Sequence, residues 1–174
     1  MATAAAAAYP PPGTGRYTLP CMAERTESSV QIAAPPGEVL AVIADFENYP
    51  QWAKEVREVS ALSHEGDGWA DQVRFTLDAG VVKDTYVLDY DWDVAEDGTG
   101  VVSWDLIRAE TLKTLTGSYT LASMDGAGTG ATEVTYRLVV DLKIPMLGML
   151  KRKGERMIVN TALQSLRRRV ESGA

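Results

Sequence analysis

From residue 56 onward, apolar and polar positions alternate with a period of two. Val73, Phe75 and Leu77 fall on one side of their run, as do Val82, Tyr86, Leu88 and Tyr90 in the next. Val102, Trp104 and Leu106, then Leu115, Gly117, Tyr119 and Leu121, then Val134, Tyr136, Leu138 and Val140 repeat the pattern. Side chains point to opposite faces along a strand, so each run presents one apolar, aromatic-rich face. The positions between them hold Arg74, Thr76, Thr85, Asp89, Ser103, Asp105, Thr116, Ser118, Thr135 and Arg137, which suit a solvated outer surface. Strands are predicted at 56–63, 69–78, 81–93, 101–108, 112–123 and 132–142, punctuated by glycine and acidic turns such as Glu96-Asp97-Gly98. An earlier alternation at 25–33, with Thr26, Ser28, Val30 and Ile32 on one side, makes a seventh strand.

The period changes to helical in two places. Val39, Leu40, Val42 and Ile43 follow Pro36, a first-turn proline, and predict a helix stopping near Asp45; a second short helix is expected over 49–55, with Asp45 and Asn48 able to cap it. The long helix is expected over 145–170, with Pro145 in its first turn. Ile158, Val159, Ala162, Leu163, Leu166 and Val170 share one broad side; Leu147, Leu150, Gly154 and Met157 continue an apolar stripe somewhat rotated from it. Gly154 is read either as a point of close helix-on-sheet packing or as room for a ligand beside the helix.

Composition narrows this picture to one domain over 24–174, preceded by an Ala/Pro-rich tail, 1–23, expected to be disordered, with Met22 a second candidate start. No apolar run approaches the ~18 residues of a membrane span, and the lone Cys21 fits a reducing compartment, so a soluble cytoplasmic protein is expected. A net charge of −7 argues against DNA as a partner. The charge is uneven, however: residues 146–174 hold seven basic and two acidic residues, leaving contact with a ribosome or an anionic membrane open for the basic helix. A monomer or weak dimer is expected.

The element order, together with Ile32-Ala33-Ala34-Pro35-Pro36-Gly37-Glu38-Val39 and Asp45-Phe46-Glu47-Asn48-Tyr49-Pro50-Gln51-Trp52, resembles the START-like (SRPBCC) superfamily, which includes polyketide cyclase/dehydrase-like and coenzyme Q-binding START proteins. The resemblance spans about residues 24–170. It implies an α+β helix-grip fold: a seven-stranded curved antiparallel sheet wrapped around a long C-terminal helix, two short helices after the first strand, and an apolar cavity between sheet and helix. In that reading Tyr49 and Trp52 plug one end of the core.

Chemistry-bearing groups are sparse. His64 stands in a polar turn, no His/Cys cluster suggests a metal, and Gly126, Gly128 and Gly130 precede a strand, so no phosphate loop and no cofactor are expected. Asp84 shares the apolar register of Tyr86, where it either reaches solvent at the rim or anchors a ligand; Arg108 extends the Val102, Trp104, Leu106 register toward a cavity mouth. Trp52, Phe75, Tyr86, Trp104, Tyr119, Tyr136, Gly154, Met157 and Ile158 are the expected lining. These residues suit a carrier or sensor of a hydrophobic small molecule such as a lipid, quinone or polyketide. The alternatives are a polyketide aromatase/cyclase using Tyr86, Asp84 or Arg108, and a ribosome or protein adaptor working through Arg167, Arg168 and Arg169.

Overall fold

The structure is a computed structural model that describes residues 25–173 apart from 65, 67, 80–82, 127–129 and 146. The expectations for the tail, Cys21, Met22, Val82 and Gly128 lie outside the described residues. Seven strands form one antiparallel sheet: β1 (Thr26–Ile32), β2 (Val56–His64), β3 (Ala70–Asp78), β4 (Lys83–Val94), β5 (Gly100–Ala109), β6 (Leu112–Ser123) and β7 (Thr132–Leu142). Their order is β1-β7-β6-β5-β4-β3-β2, so every hairpin neighbour in sequence is a neighbour in space and β1 closes onto β7. β2 pairs only with β3, and three register shifts interrupt that pairing.

Between β1 and β2 the chain runs as helix α1 (Pro36–Ala44), a 3-10 turn (Phe46–Asn48) and a single helical turn α2 (Tyr49–Trp52). β1 and β2 are opposite edges of the sheet, so this connection spans from one edge to the other. Pro36 does occupy the first turn of α1, where its missing N–H costs no hydrogen bond. The turn α2 is shorter than the predicted 49–55, and no side chain caps it; the Asn48 amide donates instead to the Asp45 carboxylate at 2.8 Å. The β4–β5 turn rests on the start of α1. Gly98 there has φ 86°, and a Cβ would lie 2.4 Å from the Gly37 nitrogen, so only glycine fits.

The long helix is α3 (Gly148–Glu171), which at 1.5 Å per residue spans about 36 Å. Pro145 lies before it, not in its first turn; Leu147 is still extended at φ −62°, ψ 133°. Val159, Leu163, Leu166 and Val170 are buried against β1, β7 and α1 in a core with Val30, Ile32, Val39, Ile43 and Val134. Each such side chain contributes about 2 kcal/mol by burial. The stripe does not continue as predicted: Leu147, Leu150, Met157 and Ile158 are exposed. What holds this half of α3 is Glu155, 3% exposed, whose carboxylate accepts from the Thr26 hydroxyl at 3.0 Å and the Val140 N–H at 3.0 Å. At the other end Glu171 accepts the Ala33 N–H at 3.1 Å, closing the helix onto the β1–α1 junction.

Candidate functional site

The alternation of β3 to β7 puts a continuous aromatic wall on the inner face of the sheet. Phe75 and Tyr86, opposite each other on β3 and β4, stack with centroids 5.4 Å apart. Trp104 lies 5.3 Å from Tyr119 and 5.7 Å from Tyr136, and those two tyrosines are 4.6 Å apart. Tyr90 joins Trp104 to Phe46 at 5.7 and 5.0 Å, and Phe46 leads on to Tyr49 and Trp52. Trp104 lies over Gly117, its cross-strand partner, where a Cβ would meet the indole at 2.5 Å. Glycine at 117 is therefore what lets the ring lie flat on the sheet.

Tyr49 is hydrogen-bonded, its hydroxyl donating to the Ile43 carbonyl at 2.6 Å. The hydroxyls of Tyr86, Tyr90, Tyr119 and Tyr136 make no hydrogen bond to a described residue, although Tyr86, Tyr119 and Tyr136 are buried. Among the described residues, no side-chain oxygen is sealed from solvent without a partner. These four hydroxyls therefore border space that a water-sized molecule reaches. Burial first, and then the neighbouring hydroxyls or, for Tyr86, the Asp84 carboxylate, push all four phenols well above the usual tyrosine value. At neutral pH they are protonated donors, not bases.

Of the residues expected to line a site, Trp52, Phe75, Tyr86, Trp104, Tyr119 and Tyr136 belong to this one aromatic network. Asp84 does not face it as a free group. It is 4% exposed and neither at a solvated rim nor available to a ligand: its carboxylate accepts the N–H groups of Glu110, Thr111 and Leu112 and the Thr111 hydroxyl at 2.7–3.0 Å. Burial pushes this carboxyl up, but the four hydrogen bonds outweigh it and hold it below the usual aspartate value. Arg108 is also misplaced by the register reading. A bulge between Val87 and Leu88 leaves Ile107 unpaired and sets Arg108 opposite Val87, on the outer face.

Gly154 is not a point of close packing, since a Cβ there would meet nothing within 4 Å. Met157 and Ile158 are exposed at 61% and 47%. Clefts of about 330 and 410 Å³ flank α3, one beside α1 at Asp45 and Arg169, the other at Arg25, Arg152 and Arg156; neither is lined by the aromatic wall. Tyr90 is not among the expected lining, though it shares the register of Tyr86. Glu155 is not singled out by the sequence reading either, yet it falls four residues before Val159 on the buried line of α3.

A family model described as polyketide cyclase / dehydrase and lipid transport matches residues 23–171. The chain belongs to this family. Its fold is the START-like helix grip of the solved family structures. A START superfamily protein from Mycobacterium smegmatis is 19% identical with a TM-score of 0.77, covering 86% of this chain and 99% of its own. A Thermus thermophilus protein is 22% identical with a TM-score of 0.69, over 87% of this chain and 99% of that one. The Zhui aromatase/cyclase from Streptomyces sp. R1128 is 20% identical with a TM-score of 0.60, over 85% and 93%. None of the curated proteins matches the chain. Family and fold together make this a ligand-binding domain of the SRPBCC type, with polyketide cyclase-like relatives.

Proposed function

We propose that the chain binds an apolar small molecule carrying several oxygen acceptors, a quinone or an aromatic polyketide, against the aromatic wall, as carrier or sensor. The observation that carries this reading is the set of four tyrosine hydroxyls, on Tyr86, Tyr90, Tyr119 and Tyr136, that border reachable space without a partner among the described residues. A packed core would pair them or replace them with phenylalanine. Four protonated donors among apolar rings suit carbonyl oxygens on a flat molecule better than a bare acyl chain, which would leave the hydroxyls unsatisfied.

The cyclase alternative loses two of the groups it called on. Asp84 is committed to the β5–β6 turn and Arg108 stands on the outer face, which leaves Tyr86 as a protonated donor. Binding without turnover is therefore the better-supported reading.

Titration with a soluble naphthoquinone, followed by quenching of tryptophan fluorescence, tests this. Saturable quenching is expected, with Kd weakened about 5- to 10-fold in Tyr119→Phe, the cost of one lost hydrogen bond. Absence of saturable quenching by quinones and aromatic polyketides alike would remove the reading. Formation of a cyclised product from a poly-β-keto substrate would favour the enzyme instead.

A further inference from the structure

The first half of α3 carries an apolar surface that nothing described covers. Leu147, Leu150, Met157 and Ile158 are exposed at 75%, 56%, 61% and 47%. At 3.6 residues per turn Leu150, Met157 and Ile158 form one stripe with Gly154, with Leu147 leading into it at the start of the helix, on the side of α3 turned away from the buried line through Val159 and Leu166. Four large apolar side chains in one stripe are more than scattered exposure on a soluble surface.

The charges around the stripe say what it meets. Lys151 and Lys153 fall on its two borders by the same periodicity. Residues 143–158 hold five basic residues and a single acidic one, in a chain whose net charge is −7. That acid is Glu155, which is buried and hydrogen-bonded to β1 and β7. Lys151 reaches Asp141 at 3.6 Å, whereas no described carboxylate lies within ion-pair distance of Lys153 or Arg156. An apolar stripe edged by lysines matches a lipid interface: the side chains enter the acyl boundary, and the lysine stems follow while their ammonium groups stay among the phosphates.

We propose that this face of α3 docks on an anionic lipid bilayer, lying along the interface without crossing it. Among the described residues no helix is long and apolar enough to span a membrane, as a peripheral contact requires. The proposal stands on exposure and charge alone and does not depend on what the aromatic wall binds.

Co-sedimentation of the full chain with vesicles of phosphatidylcholine, alone or with about 30% phosphatidylglycerol, tests it. Partition onto the anionic vesicles is expected to exceed that onto the neutral ones at least about 10-fold and to fall as salt rises from about 0.05 to about 0.5 M. Leu150→Glu with Met157→Glu, and separately Lys151→Gln with Lys153→Gln, should each reduce partition about 10-fold while leaving the thermal melt within about 2 °C and the naphthoquinone titration unchanged. Peroxide should oxidise Met157 readily in the lipid-free protein and slowly on anionic vesicles. Equal partition onto both vesicle types, or partition that survives both pairs of substitutions, would overturn the proposal. So would a Met157 already protected without lipid, which would mean that a second copy or the chain's own amino-terminal segment covers the stripe.

Discussion

Asp84 shows how one carboxylate holds a hairpin. It accepts four hydrogen bonds from the turn between β5 and β6, so it orders three backbone N–H groups that no strand partner takes. Replacing it by alanine should destabilise the domain by about 3 kcal/mol in urea melts at neutral pH, because those donors then lack an acceptor in a partly buried turn. The pH dependence has a definite sign. The folded carboxyl lies below its ordinary value, so its contribution is complete above the unfolded value and is lost as pH falls through the folded one. The difference between the parent chain and Asp84→Ala should therefore shrink below about pH 4; a difference that stays constant down to about pH 2 would contradict this.

At the scale of elements, α3 is two helices in one. Its second half is fixed by burial of Val159, Leu163, Leu166 and Val170, whereas its first half is tied down by Glu155. Glu155→Ala should speed amide exchange over 149–157 about 10-fold while leaving 163–170 near the global rate, as measured by hydrogen–deuterium exchange. Uniform acceleration along the whole helix would instead mean that it opens as one unit. Which parts of these elements are legible in the residues follows from their physics. A two-residue period reports which side of a strand is buried, so the inner faces of β3 to β7 can be read directly, aromatic wall included. The same rule fails at Arg108 because the bulge at Ile107 inserts a residue that periodicity cannot anticipate. It fails in a different way at Asp84, whose face is right but whose partners are backbone groups of residues 110–112 and carry no sequence signal. The apolar stripe of Leu147, Leu150 and Met157 is visible too, but a stripe says that a partner is wanted and not that the same chain supplies it.

For the molecule as a whole, binding at the aromatic wall and stability are linked. A ligand that binds the folded chain alone, supplied at about 100 times its Kd, should stabilise it by about 2.7 kcal/mol and raise its thermal midpoint by about 5–10 °C. A midpoint unmoved by a naphthoquinone that nevertheless quenches tryptophan would place the quencher on unfolded or surface sites. The sheet that carries the wall also has to end somewhere. One of its two edge strands, β2, keeps to β3 through three register shifts, and Arg57 and Glu58 stand near its start. A regular, uncharged border would template pairing with the same border of another molecule. The interrupted one offers no straight row of donors and acceptors for an eighth strand, so a chain rich in inward-facing aromatics is protected against polymerising through the β2 edge when crowded.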